Sequence, residues 1–447
     1  MPPTCRKRKF YSVGKIDKKD VKKRGPFFNT NLSDAIINSD TVRSIDRTFS
    51  DSVDPFISIP NQQSTGTCWI SAGLNVIRYK TIKHLGLPID FNFSREHLFF
   101  WSKIEKINKV LHNACETKSL RINSLEDIFE KLTDGGNFWT FQDLVEKYGL
   151  MPGCIYSGYS SCKDSFLLNK IISKEIFISI NTIRTHKGDS FVLIPDMMAH
   201  YKKIIATVMS VPPDTFTFRY KCGKHDKKIG PVTPVKFYRD YCNIKLKEYI
   251  TVVSDKKQHY NKVLRLPSDN IYSSDVVESS HIDLFNVSLG RFVQLAKNSI
   301  INNNAVYFSC DVNVDMSTKH NLFDLELYNY NYINLNYLKQ PERPEFIDST
   351  HAMVLCGVDI VVNDMKKLDE CEKNNGAEND ITFKYTEKIV KWKVLNSWGC
   401  KQVYVMTNNY FLKNVRRIAI HIDTLNDNEK ELYKLSTTRN RCIRYQL

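Results

Sequence analysis

The chain has 447 residues, 42% of them hydrophobic and 12% aromatic, which is enough to bury one large core or two to three smaller ones. A mean hydropathy of −0.36, with no run of about 18 uncharged apolar residues, excludes a membrane-spanning helix and points to a soluble globular protein. The net charge of +15 fits simple solubility and also a polyanionic partner, since clustered Lys and Arg bind phosphates with release of counterions.

Residues 1–32 carry RKRK (Arg6 to Lys9) and KIDKKDVKKR (Lys15 to Arg24) with no apolar period, so a disordered basic arm is expected, with DNA or RNA contact or nuclear targeting as its sharper reading. No apolar segment follows it, which argues against a secretory signal and for a cytoplasmic protein, with the nucleus left open. The next stretch ends in FISIPNQQ, where Pro60 bars a helix and suggests an extended entry. After it, Ile70, Leu74 and Ile77 recur near the helical period, so a helix is expected to start at Thr67 or Cys68. REHLFFWSKIEKINKVLHNA reads as a second helix, and TDGGNFWTFQDLVEKYGLMP as a glycine turn feeding a third that Gly149 and Pro152 close. From about Ile172 to Tyr249 the pattern is mixed, with one long amphipathic helix ending near MMAHYKKIIATVM, then a proline-marked segment. HIDLFNVSLGRFVQLAKNSIINNNAVYFSCDV reads as a helix followed by a strand. Beyond Asp348, HAMVLCGVDIVV, ITFKYTEKIVKWKVLNSWG and VYVMTNNYFLKNVRRIAIHI have the β-branched and aromatic enrichment of sheet, with NDMKKLDECEKNNGAEND as a hairpin loop between the first two. The expected class is α+β.

Twelve cysteines occur without a CxxC pair, so neither disulfides nor a structural metal is expected in a reducing cell interior. Cys154 and Cys162, the closest pair in sequence, read as ordinary thiols. No cofactor is expected. Cys68 is different, because a thiol at a helix N-terminus is favoured as thiolate, and a nearby imidazolium would favour it further. The base must be a histidine held by a third polar group, which need not be close in sequence. His351 begins an apolar, glycine-containing run that suggests a strand, and Asn396 in VLNSWG follows about one hairpin later. Gln62, six residues before Cys68, could donate to an oxyanion together with the Cys68 backbone N–H. Each has a plainer reading: a lone Cys before an apolar helix is usually structural, a His at a strand end is usually a satisfied polar residue, and an Asn before Ser-Trp-Gly can cap a turn. Their joint order, Gln, Cys, His, Asn, favours chemistry. A Cys–His pair also implies a bell-shaped pH profile, against which a flat rate through about pH 5 to 9 would count.

The patterns Q-x-x-x-G-x-C-W, H-A-M and N-S-W-G resemble the papain-like cysteine peptidases. CWISAGLNVIR, EHLFFWSKIEKIN, DGGNFWTFQDLVEKYGLMP, IGPVTPVKFYRDY, STHAMVLCGVD and WKVLNSWG resemble their bleomycin hydrolase and aminopeptidase C branch, in order over roughly residues 55 to 425. Secreted relatives have His and Asn about 130 to 150 residues after the Cys. Here His351 is 283 positions on, by subtraction, which implies an inserted domain. The resemblance therefore implies a helical lobe at 33–171, a mostly helical insertion at 172–338, a β-barrel-like lobe at 339–423 and a tail at 424–447. It implies a thiol aminopeptidase acting on peptides, with Cys68 as nucleophile, His351 as proton carrier, Asn396 orienting His351, Gln62 at the oxyanion and Trp398 shielding the Asn396–His351 bond. Gly66, Gly135 and Gly136 match the substrate-binding glycines, and Thr65 stands where secreted members carry a disulfide cysteine. The branch forms homohexamers around an internal channel, and some members bind nucleic acid.

Two departures stand against that pattern. The branch's C-terminal arm lies in the cleft and fixes the substrate amine, whereas TLNDNEKELYKLSTTRNRCIRYQL looks shorter, basic and polar. Aminopeptidase and endopeptidase readings both stay open. The Lys/Arg-rich arm replaces the branch's helical lead-in, so hexamer contacts made there are not carried over. A nucleic-acid-binding scaffold that keeps the peptidase fold is the alternative function.

Overall fold

The computed structural model describes residues 30–53, 61–116, 125–159, 164–266, 275–276, 282–312, 315–333, 349–363, 386–399, 402–438 and 443–444. Residues 1–29 of the expected disordered arm, Pro60, Cys162 and, past Asn363, the NDMKKLDECEKNNGAEND loop lie outside them.

Two short helices, α1 (Leu32–Ala35) and α2 (Ser39–Ser44), and a two-residue strand β1 (Asp51–Ser52) lead into α3 (Cys68–Leu85). Then come α4 (Arg95–Glu116), α5 (Leu125–Lys131), α6 (Phe138–Tyr148), α7 (Phe166–Thr185) and α8 (Ile194–Met209). A hairpin of β2 (Phe216–Cys222) and β3 (His225–Val232) precedes α9 (Pro234–Tyr241), β4 (Tyr249–Val253), β5 (Lys262–Leu266) and β6 (Ile282–Asn286). The chain continues through α10 (Leu289–Ile301), β7 (Val306–Cys310), β8 (Met316–Ser317), β9 (Leu322–Phe323), β10 (His351–Asn363), β11 (Thr386–Leu395) and β12 (Tyr404–Thr407). It closes with α11 (Asn408–Asn414), β13 (Val415–His421), α12 (Asp427–Thr438) and β14 (Ile443–Arg444).

The fold is α+β. Apart from the β2–β3 hairpin, the strands form one sheet in the order β14-β5-β6-β4-β13-β7-β10-β11-β12-β9-β8, with β1 on β10. α3 packs on β10 and β7. It is buried almost all round, from Trp69 through Ile82 with Lys80 the partly exposed exception, as befits a helix wedged between a sheet and the α4 and α6 helices rather than lying on a surface. Thr67 is its N-cap, and Gly86 ends it at φ +67° with its N–H donating to Ile82 O, a conformation that favours glycine.

Three sequence readings change. The single long helix before Met209 is two, α7 and α8, because Gly188 turns at φ +117° and Asp189 accepts from Phe191 N–H to open a short 3₁₀ turn ahead of Pro195 in the first turn of α8. Residues 172–338, expected to be mostly helical, hold most of α7 and all of α8, α9 and α10 and also contribute β4 to β9 to the main sheet; Ile282–Asn286, read as part of a helix, is a strand ahead of α10. Within the β-rich C-terminal run, Asn408–Asn414 is helical, breaking VYVMTNNYFLKNVRRIAIHI into strand, helix and strand.

Candidate active site

The loop ahead of α3 is folded by its own side chains. Gln62 Nε2 donates to Thr65 O at 2.8 Å, and Thr65 Oγ1 donates to Gln62 O at 2.6 Å and lies 2.8 Å from Thr67 Oγ1. The loop is tied to the NSWG segment as well: Gln62 N donates to Ser397 O at 2.8 Å, and Ser397 Oγ donates to Gln62 Oε1. Because an amide nitrogen has two hydrogens, Gln62 Nε2 keeps one beyond its bond to Thr65. Cys68 then opens the helix as a half-buried residue outside any disulfide, where unpaired N–H groups and the helix dipole favour negative charge.

His351 is the first residue of β10 and pairs with Cys310 of β7. β10 and β11 are antiparallel, with Val354 opposite Leu395; continuing that register past the ladder sets the NSWG segment against the start of β10. His351 Nε2 lies 2.8 Å from Asn396 Oδ1. That oxygen also accepts from Ser397 N–H at 2.7 Å, so it is an acceptor and Nε2 must be the donor, which leaves the Nδ1 lone pair of a neutral ring unused by this bond. The ring stacks on Trp398, with centroids 4.5 Å apart and planes at 22°. The backbone N–H of Ala352, the next residue on β10, is among the groups that favour the Cys68 thiolate.

Burial favours the neutral form of each group. It pushes the Cys68 thiol up, against the N–H groups of Ala352, Trp69 and Cys68 itself, and it pulls His351 from 6.5 down to about 4, against the bond to Asn396. Both effects follow from the cost of an isolated charge in low dielectric.

The glycine positions differ in what they face. A Cβ on Gly136 would come within 2.5 Å of the Trp69 ring, whereas a Cβ on Gly135 would meet no atom within 4 Å. Gly66 has close packing against Asp134, whose Cβ would be 3.0 Å from an added Cβ, and its N–H donates to Asp134 Oδ2 at 3.3 Å. Beyond the glycine pair, Asn137, Phe138 and Trp139 line a small cavity with Tyr307, Ser309 and Arg417.

Sequence reading missed the charged residues under this edge. Lys103 Nζ donates to Asp134 Oδ1, Asn169 Oδ1 and Leu132 O. Lys106 Nζ donates to Thr133 O and Gly135 O. Asp134 also accepts from Ser165 Oγ and from Asn169 Nδ2, and its backbone oxygen accepts from Trp69 Nε1 at 2.8 Å. Burial opposes the Asp134 charge, yet Lys103 beside it, with Ser165 and Asn169, holds its carboxyl below the ordinary value. Burial in turn draws Lys103 down to about 8. The available signal was two lysines and a glutamate inside the otherwise apolar FFWSKIEKI.

Among the described residues, Cys68, Cys115, Cys154, Cys222, Cys242, Cys310 and Cys356 are outside any disulfide, no group of three or more His, Cys, Asp or Glu could hold a metal ion, and no helix is long and apolar enough to cross a membrane.

The model of the Peptidase C1-like family matches residues 15–380. Among curated proteins the chain is similar to bleomycin hydrolase of Homo sapiens, 28% identical over 389 residues, covering 81% of this chain and 79% of that protein. It is similar also to aminopeptidase C of Lactococcus lactis subsp. cremoris, 27% identical over 393 residues, covering 84% and 83%. Among solved structures, PepW from Lactobacillus rhamnosis HN001 superposes with a TM-score of 0.78 at 24% identity, covering 92% of this chain and 90% of that one, a likeness of fold.

Proposed function

The chain belongs to the peptidase C1-like family and is a cysteine peptidase, and from that premise we propose that it is a thiol aminopeptidase in which Cys68, His351 and Asn396 act as a triad on peptide substrates. The observation that carries the reading is the His351 Nε2–H to Asn396 Oδ1 bond, stacked on Trp398, on a strand, β10, against which the Cys68 helix α3 packs.

The steps follow from these positions. Cys68 passes its proton to His351 and its sulfur attacks the peptide carbonyl carbon. The carbonyl electron pair moves to oxygen, where the Cys68 N–H and the second Gln62 Nε2 hydrogen can donate to it. The His351 imidazolium then gives its proton to the amide nitrogen, the C–N bond breaks, and a thioester remains on Cys68. Water attacks that thioester as His351 takes its proton, and the sulfur leaves. Asn396 holds the ring in the tautomer this needs, and Trp398 keeps water from their bond. Gly135, with open space above it, is the edge along which substrate backbone would lie extended.

Preference for a free amine is supported by the position of the C-terminal segment. β14 pairs in parallel with β5, and Leu264 and Leu266 of β5 share an apolar cluster with Trp139, three residues past Gly136. The test compares aminoacyl and N-acetyl-aminoacyl fluorogenic amides, with the whole chain and with a chain ending at residue 438. We expect the whole chain to favour free amines by at least about tenfold, or ~1.4 kcal/mol, and the shortened chain to lose that preference. Preference of the whole chain for blocked substrates would overturn the aminopeptidase reading in favour of an endopeptidase.

A further inference from the structure

We propose that Lys103 and Asp134 are a positioning pair that fixes the cleft by holding the Cys68 loop against the Gly135–Gly136 edge. Asp134 reaches both sides at once. Its carboxylate accepts from Gly66 N–H, two residues before Cys68. Its backbone oxygen accepts from the indole of Trp69, one residue after Cys68, and Gly135 follows it in the chain. Lys103, from α4, holds the carboxylate and the Leu132 carbonyl from beneath, and Lys106 holds the carbonyls of Thr133 and Gly135. Asn169 of α7 bonds both members of the pair.

The pair is buried, with side chains 4% and 5% exposed. A buried ion pair is a poor way to gain stability, because apolar residues of similar shape often do as well once desolvation is counted. What it adds is geometry: charge-assisted bonds fix directions that apolar packing leaves free. Every bond of this pair ends on the loop of residues 132–135, on the nucleophile loop, or on a residue that orients them. Displacement of a substrate-binding edge by about 1 Å can lower a rate about 100-fold without touching the reacting groups.

This rests on the peptidase reading, and the experiment separates the two. Lys103→Met/Asp134→Leu removes both charges together, so neither is left buried alone, and Asn169→Ala is a milder second variant. Three quantities are measured on folded protein: kcat/KM for aminoacyl amides, the rate at which iodoacetamide alkylates Cys68, and the affinity of a peptide substrate for the same variants carrying Cys68→Ala. Iodoacetamide is too small to use the glycine edge. The expected result is a fall in kcat/KM of about 100-fold for the double variant and about tenfold for Asn169→Ala, weaker peptide binding in the Cys68→Ala background, and alkylation within about threefold of wild type. Lys103→Arg, which keeps the charge and its donors, should recover part of the loss. Wild-type rates and affinities in folded variants would overturn the positioning role, as would alkylation falling in step with hydrolysis, because the defect would then lie in the thiol. If the double variant does not fold, Asn169→Ala decides by the same criteria. Failure of wild type itself to turn over peptides would instead sink the peptidase reading, and the binding measurement would still judge the pair.

Discussion

At Cys68 and His351, burial disfavours either charge alone, raising the thiol and lowering the imidazole to about 4. A proton passed from one to the other leaves the total charge unchanged, so the pair avoids the cost that each would meet singly. In the proposed mechanism, the pair with one shared proton would be the active form, whether that proton sits on sulfur or on nitrogen. It is lost to acid when His351 gains a second proton, as pH falls through about 4. It is lost to base when the last proton leaves, which the raised thiol places above its ordinary 9.0. Burial of both groups would move both limbs of the expected bell outward and so widen its level region. We expect kcat/KM measured from pH 3.5 to 10.5, with stability followed in parallel, to stay level through neutrality and fall near 4. An acid limb at 6.5, the ordinary imidazole range, would contradict a buried His351.

The elements that build the site were legible where a local signal coincides with a tertiary one. α3 begins at Cys68, α6 is bounded by Gly136 and Gly149, and β10 begins at His351, because glycine, capping and apolar period mark those ends whatever packs on them. β4, β5 and β6 were not separated, since YITVV, KVLRL and IDLFN are five-residue runs whose strand character comes from partners on other strands, 16 or more positions away. Lys103 and Asp134 were invisible for a related reason: charged residues on a helix and in a turn read as solvated, and only the packing of α4, α7 and the loop of residues 132–135 buries them. The glycine pair illustrates the same limit. Both read as substrate-binding positions, yet only Gly135 faces open space, while Gly136 lies on the Trp69 ring. Gly136→Ala should therefore overpack a buried contact and cost about 1–3 kcal/mol, read as a lower thermal midpoint. Gly135→Ala should keep the wild-type midpoint and lose peptide turnover. The reverse order of midpoints would contradict this division.

Over the whole molecule, the site draws on segments from Gln62 to Trp398, joined by the bonds between Gln62 and Ser397 and by α3 lying on β10. Cys68, His351 and Asn396 could be named from sequence because short motifs surround each of them; nothing in the chain between them reports how the fold assembles them, through the β10–β11 pairing and the packing of α3 on β10. Net charge, by contrast, located no site. Of the +15 surplus, the ten Lys and Arg of residues 1–29 against Asp17 and Asp20 supply +8, and those residues lie outside the described ones. The central claim is that Cys68 is the nucleophile, and the most direct measurement is turnover of aminoacyl fluorogenic amides by wild type and by Cys68→Ala purified in parallel. The expected result is thiol-dependent hydrolysis by wild type and a loss of at least about 10³-fold in the variant, of the order seen when a nucleophile is removed and only binding and oxyanion donors remain. Equal turnover by the two proteins, or none by wild type under reducing conditions, would contradict it.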